Sequence, residues 1–227
     1  MLYYAYELSH AFITPIRSVV DMGQVVLKSP LNPLSYTLPG RTAAATLDVI
    51  ERATRRYGKP RFDIDETSIN DQKVKIRERT VWRNIWCQVT HFERDPDGLR
   101  QARGASEQDP KLLIIAPLSG HYATLLRGTV EAMLPDHDVY ITDWIDARTI
   151  PVWRGRFDLN DYIDYLLALY RFLGPDLHVM AVCQPGPAAL AATSLLAQDN
   201  DPNQPASLIL MGSPIDSRKS PTVPNLL

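Results

Sequence analysis

The chain has 227 residues, of which 45% are hydrophobic and 22% charged, and its formal net charge is −2 at pH 7. These values are typical of a globular protein and exclude a disordered or fibrous chain. No run of about 18 apolar residues is present, which predicts no membrane-spanning helix, and the small negative charge disfavours nucleic-acid binding. The opening residues lack a basic leader with an apolar run, so we expect no secretory signal and a cytoplasmic protein.

Cysteine and histidine are too few and too scattered for a disulfide framework or a structural zinc site. Cys87 and Cys183 are the only cysteines, and none of the five histidines forms a metal-ligand cluster with them. We therefore expect no metal and no organic cofactor. A reducing compartment would leave both thiols available for chemistry.

Residues 1–60 are predicted to form a helical N-terminal extension. Thr14-Pro15 has the pattern of a helix start, and the proline-rich residues 29–33 end that helix. A second helix is predicted from about Arg41 to Tyr57, with Gly58 at its end. The remainder, 61–227, is predicted to be a separate domain.

The first part of that domain has the two-residue period of strands. Residues 73–76 alternate between polar and apolar side chains, and Ile85, Cys87 and Val89 alternate again, which predicts two antiparallel strands. Residues 94–110 are polar and rich in turn formers, which indicates a solvated loop.

After Pro110, short apolar strands alternate with helical segments. The predicted strands are residues 112–116, 138–142, 178–182 and 207–211, and the predicted helices are residues 122–133, 159–173 and 187–197. This alternation is typical of an α/β fold with a mostly parallel sheet and helices on both faces. Sites in such sheets lie at the carboxyl ends of the strands, which directs attention to the loops after them.

One of these loops has the pattern of a nucleophile elbow. In residues 179–189 a buried strand leads through Cys183 directly into a helix, as in the G-x-S-x-G motif, with Ala181 and Pro185 at the two small-residue positions. The unpaired N–H groups of a helix start favour a thiolate there. Cys183 is therefore the candidate nucleophile, and the N–H of Gln184 a candidate oxyanion donor. The alternative is a buried structural cysteine, which is our prediction for Cys87.

The loop after the strand at 112–116 is the candidate for the second oxyanion donor. It contains Leu118, Ser119, Gly120 and His121, and the glycine permits the tight turn that brings an N–H of Leu118 or Ser119 toward the nucleophile. The alternative is an ordinary strand-to-helix turn in which Ser119 caps the helix.

The sequence offers no obvious general base. No histidine follows Cys183, and His178 and His137 are predicted at the far ends of their strands. His121 shapes the oxyanion loop or caps a helix, and Asp216 is expected to be a solvated loop carboxylate. We therefore expect this chain to be the front part of a longer protein that carries the acid, the base and the C-terminal part of the fold.

The elbow at 181–187, together with residues 118–123 and Asp143-Trp144, resembles the intracellular polyhydroxyalkanoate (poly-3-hydroxybutyrate) depolymerases, and the resemblance extends over essentially the whole chain. The resemblance implies an α/β-hydrolase domain that hydrolyses ester bonds of a stored polyester at the granule surface. It also implies a cysteine nucleophile, Cys183, and a downstream aspartate and histidine beyond Leu227.

Two other functions remain open. A polyester synthase-like acyltransferase has a similar scaffold, but such synthases resemble G-x-C-x-G at the elbow, where this chain has Ala181 and Pro185. A non-catalytic, granule-associated protein is the second alternative, and in it Cys183 would only pack. The sequence sets neither the oligomeric state nor the preferred side-chain length of the polymer.

Overall fold

The structure is a computed structural model that describes residues 12, 17–54, 58–104, 109–118, 122–216 and 218–219. The predicted helix start at Thr14-Pro15 lies outside the described residues. The chain divides into two compact units, Met1–Lys59 and Pro60–Leu227, and each is described by itself.

The described residues of the first unit include two α-helices and, between them, a 3-10 turn at Pro33–Tyr36. Helix α1 covers residues 17–28, and α2 covers Leu38–Thr54. Leu47 packs so close to Gly23 that a Cβ there would be 2.9 Å from Leu47 Cδ1. Helix α2 begins three residues before the predicted Arg41, because the hydroxyl of Thr37 accepts the N–H of Gly40 at 3.2 Å and so caps the helix.

The second unit is built on a mixed sheet, which has seven strands within the described residues. They are β1 (Glu66–Ile69), β2 (Gln72–Arg83), β3 (Cys87–Arg94), β4 (Lys111–Ile115), β5 (Asp138–Trp144), β6 (Leu177–Val182) and β7 (Ser207–Met211). The strand order is β1-β2-β3-β5-β4-β6-β7. The pairs β1–β2, β2–β3 and β3–β5 are antiparallel. The pairs β5–β4, β4–β6 and β6–β7 are parallel.

Helices cover both faces of this sheet. They are α3 (Pro96–Arg103), α4 (Arg127–Met133), α5 (Leu159–Leu173) and α6 (Gly186–Gln198). Helices α5 and α6 bury their apolar side chains with Leu113, Val179 and Ala181 on one face, whereas α4 packs with Ile114 and Ile141 on the other. The predicted α/β-hydrolase-like fold, with a mostly parallel sheet between two helical layers, is confirmed.

Residues 94–110 differ from the predicted solvated loop, because they contain α3 and a buried ion pair. The carboxylate of Asp95 accepts the N–H of Gly98 at 2.8 Å and caps the helix, so the turn-forming residues are helix signals here. Arg94 and Asp109 pair at 2.6 Å with side chains only 5% and 4% exposed.

Other elements also differ from the prediction. Strand β1 was not predicted; it forms a hairpin with β2 through Asn70 and Asp71, both with positive φ. Ile85 lies in the turn between β2 and β3 rather than in a strand. The segment predicted as one helix over 122–133 is a 3-10 turn, Ala123–Leu126, followed by α4.

Candidate functional site

The carboxyl ends of β4, β5, β6 and β7 lie at one edge of the sheet. Strand β3 is antiparallel to β5, so its first residue, Cys87, pairs with Trp144 at this same edge. In open α/β sheets, ligands bind at the carboxyl ends of the strands. The candidate site is therefore the edge formed by the loops after β4 and β6.

Cys183 is the first of the three residues that join β6 to α6. It is an exposed free cysteine with φ of 67°, a backbone conformation that is uncommon for a residue with a side chain. Its N–H donates to the carbonyl of Met211 on β7 at 2.7 Å, and its carbonyl accepts the N–H of Gly186 at 3.3 Å. The strand thus ends in a sharp, hydrogen-bonded turn that exposes the thiol at the start of a helix.

Packing from the end of β7 holds this turn in place. A Cβ on Gly186 would lie 2.2 Å from Cβ of Ser213, so only glycine fits under that side chain. Pro185 is buried in a helical conformation before the first residue of α6, and Pro187 occupies its first turn. Proline costs α6 no internal hydrogen bond at these positions, because the first N–H groups of a helix have no partner within it.

Gln184 follows the thiol and has an exposed side chain. Within the part of the chain that the structure describes, its N–H donates to no acceptor. An N–H in this position is the donor that elbow motifs direct at the oxyanion, so its role stays a prediction.

The second predicted oxyanion segment is described only in part. Leu118 is half-buried and packs against the core beneath α5 and α6. Ser119, Gly120 and His121 lie outside the described residues, so the predictions made for them stay predictions.

Two side chains of β5 bind the backbone at the start of that segment, a contact that the sequence analysis missed. The N–H of Ala116 donates to Oγ1 of Thr142 at 2.9 Å, and the indole N–H of Trp144 donates to the carbonyl of Ala116 at 2.9 Å. The available signal was a threonine and a tryptophan two residues apart at the carboxyl end of a buried strand, on one face of it.

The three described histidines lie at the opposite edge of the sheet. His178 begins β6 and shares a hydrogen bond of 2.7 Å with Ser207, and the β-strand rise of about 3.3 Å per residue puts it roughly 16 Å from Cys183. His137 precedes β5, and His91 contacts Asp138 at the start of that strand at 2.7 Å. None of these three is a base for Cys183.

Cys87 and Asp216 are the remaining residues that the sequence analysis considered. Cys87 is fully buried, and burial raises the pKa of its thiol far above the ordinary value. Asp216 accepts hydrogen bonds from the guanidinium of Arg218 at 2.8 and 3.0 Å, and this interaction lowers the pKa of its carboxyl group. Cys87 is therefore a core residue, and Asp216 forms a local ion pair in its loop.

The described residues contain no group of three or more histidine, cysteine and acidic side chains suited to a metal ion. No helix in these residues has the length and apolar character needed to cross a bilayer.

The sequence matches no family model and no curated protein. Among solved structures, it is similar to an α/β hydrolase enzyme from the metagenome of Lake Arreo, Spain (14% identity, TM-score 0.42). It is also similar to a bacterial heroin esterase (16% identity, TM-score 0.42) and to brefeldin A esterase, a bacterial homologue of human hormone sensitive lipase (14% identity, TM-score 0.39). These alignments cover 89%, 82% and 79% of this chain and 60%, 55% and 50% of the other chains. The chain thus spans about half the length of these structures, and similarity at this level concerns the fold alone.

Proposed function

We propose that this chain carries the nucleophile of a carboxylic-ester hydrolase. In this proposal the thiolate of Cys183 attacks the ester carbonyl, and the N–H groups of Gln184 and of the loop after β4 stabilise the oxyanion. What supports the proposal most is the backbone of Cys183, because an exposed cysteine with positive φ between a strand and a helix has the geometry of a nucleophile elbow.

The proposed reaction has two steps. A carbon–sulfur bond forms as the thiolate adds to the carbonyl carbon, and the carbon–oxygen bond to the alcohol then breaks, with a proton delivered to the leaving oxygen. Water attacks the resulting thioester, releases the carboxylic acid and restores the thiol. The proton carrier in this proposal is a histidine outside the described residues, since the three described histidines lie at the other edge of the sheet.

The substrate class that we propose is a storage polyester of 3-hydroxy acids, at the surface of intracellular granules. The support is the resemblance of the elbow at residues 181–187 to the intracellular polyhydroxyalkanoate depolymerases. An exposed thiol suits this substrate, because an ester at a polymer surface reaches only a nucleophile that lies at the surface of the enzyme.

The test of the nucleophile is acylation by a soluble activated ester, p-nitrophenyl butyrate. We expect release of p-nitrophenol and a thioester adduct on the peptide that contains Cys183. The Cys183→Ala variant should form no adduct, whereas the matched Cys87→Ala variant should react like the protein without substitutions. An adduct on Cys87, or no adduct on a folded protein, would overturn the proposal.

The test of the substrate class is a comparison of two acyl donors. In a protein that includes the expected acid and base, amorphous poly-3-hydroxybutyrate should release soluble hydroxy acids in a reaction that requires Cys183, and a 3-hydroxyacyl-CoA should not be polymerised. Polymer growth from the CoA thioester would favour an acyltransferase instead.

A further inference from the structure

Ala116, at the start of the loop after β4, is held through both of its backbone groups. The last paired residues of β4 and β5 are Ile114 and Ile141, so the parallel ladder on this side ends before Ala116. Beyond that point, side chains of β5 bind the backbone of Ala116. Oγ1 of Thr142 accepts its N–H, and the indole N–H of Trp144 donates to its carbonyl. Ala116 is 1% exposed, its hydrogen bond to Thr142 is buried, and its hydrogen bond to Trp144 is partly buried.

Trp144 is itself fixed by aromatic neighbours. Its ring meets the ring of Tyr162 edge-on with centroids 4.7 Å apart, and the rings of Phe157 and Tyr165 lie 5.8 and 6.3 Å away. Tyr162 and Tyr165 belong to α5, which buries most of its apolar face in the core. The indole N–H therefore has little freedom to move away from the carbonyl that it binds.

The residue after Ala116 transmits this restraint along the chain. Pro117 has a fixed φ, has no N–H of its own, and restricts Ala116 to extended backbone. The first N–H beyond the restrained segment is that of Leu118, which is one of the two candidate donors to the oxyanion. The orientation of Ala116 and the fixed φ of Pro117 therefore narrow the directions that this N–H can take.

We propose that Thr142 and Trp144 are positioning residues that fix the oxyanion donor of the loop after β4. The proposal rests on the proposed ester hydrolysis by Cys183. In this proposal neither side chain contacts the reacting atoms, and both act through Ala116. Misplacement of a donor by about 1 Å is enough to lower the rate of the chemical step roughly a hundredfold.

The experiment compares two reactions of the same thiol in single-residue variants. Thr142→Val removes the hydroxyl at nearly constant volume, and Trp144→Phe keeps a ring but removes the N–H donor. Acylation of Cys183 by p-nitrophenyl butyrate develops an oxyanion, whereas alkylation by iodoacetamide does not. We expect each variant to acylate at least about tenfold more slowly, since loss of a donor costs about 10²–10³ in rate, and to be alkylated at an unchanged rate.

Two further variants separate positioning from packing. Thr142→Ser retains the hydroxyl and should restore acylation, while Thr90→Val, at a buried position of the same sheet, should leave both reactions unchanged. Hydrogen exchange of a peptide over residues 112–118 gives a readout that needs no activity. Exchange there should become faster in Thr142→Val and stay unchanged in Thr142→Ser.

The possible outcomes are distinct. Unchanged acylation in both Thr142→Val and Trp144→Phe would overturn this proposal while leaving the nucleophile intact. An equal loss of acylation and alkylation would also overturn it, because that pattern indicates damage to the elbow itself. A chain that exchanges as expected but never acylates Cys183 would instead overturn the proposed ester hydrolysis, and the oxyanion role with it.

Discussion

The side chain of Ser213 lies directly over Gly186, so that a Cβ on the glycine would be 2.2 Å from Ser213 Cβ and 2.3 Å from its Oγ. Ser213 follows β7, and Gly186 begins α6, three residues after Cys183. The end of one strand thus packs on the turn at the end of its neighbour, and the Cys183 N–H adds a hydrogen bond to Met211. The strained backbone of Cys183 is maintained by β7 as well as by its own strand.

Gly186→Ala should therefore destabilise the second unit, because the new methyl group and Ser213 cannot both keep their positions. Overpacking of this kind costs about 1–3 kcal/mol in the free energy of unfolding, measured by urea denaturation. The matched control is Gly128→Ala, where a new Cβ meets no atom within 4 Å, and its stability should be unchanged or slightly raised. Adding Ser213→Gly to Gly186→Ala should recover part of the loss, and no recovery would contradict the steric explanation.

The two thiols should differ sharply in their reaction with iodoacetamide. Cys183 is exposed, whereas Cys87 is fully buried and burial raises the pKa of its thiol, so that little thiolate forms there. Mass spectrometry of the native protein should find the label on Cys183 first. Cys87 should react only after unfolding in guanidinium, and its preferential labelling in the native protein would refute the assignment of the site.

Asp109→Asn should be among the more destabilising single substitutions in the second unit. The Asp109 carboxylate binds both Arg94 and Arg103, and Arg94 also donates to the carbonyl of Leu134 at 3.2 Å. Removing one partner of a buried ion pair leaves a buried charge uncompensated and costs about 3–5 kcal/mol.

The matched control for this pair is Asp97→Asn. Asp97 forms an exposed ion pair with Arg100 at 3.1 Å, with side chains 89% and 70% exposed. Its loss should change the free energy of unfolding by less than about 1 kcal/mol, because exposed pairs are screened by solvent. Similar effects of both substitutions in urea denaturation would show that the Arg94 pair is not buried in solution.

Asp138 should make the stability of the protein depend on pH in the acid range. Burial raises the pKa of its carboxyl group, but hydrogen bonds from His91 and Tyr140 and the nearby charges outweigh burial and lower the pKa below its ordinary value. A carboxyl group with a lowered pKa in the folded state stabilises the protein above its unfolded pKa, about 3.9, and this contribution is lost as the pH falls through the folded value.

The measurement is urea denaturation of the unchanged chain and of Asp138→Asn between pH 7 and pH 3. The difference in unfolding free energy should be constant near neutral pH and should shrink below about pH 4. Tyr140→Phe removes the hydrogen bond of 2.8 Å to Asp138 and should move this loss of stability to higher pH. A difference that stays constant down to pH 3 would contradict the prediction.

Local patterns were sufficient to predict much of the second unit. Helix α5 was predicted at residues 159–173 from its helical pattern and from Gly174 at its end, and the structure shows a capping box of Asp158 and Asp161 at its start. Strand β7 was also predicted at its observed bounds, since short apolar runs between turn formers indicate buried strands. The same local reasoning identified Cys183 as a residue between β6 and α6.

These elements are predictable from the sequence because their signals, which are caps, turns and periodicity, lie within a few residues of one another. The position of β5 between β3 and β4 is not predictable in this way, since strand order depends on which distant faces bury each other. The same holds for the binding of Ala116 by Thr142 and Trp144 and for the contact of Ser213 with Gly186. Each of these contacts joins residues more than 20 positions apart, and such pairs meet only after the sheet has assembled, so no local pattern predicts them.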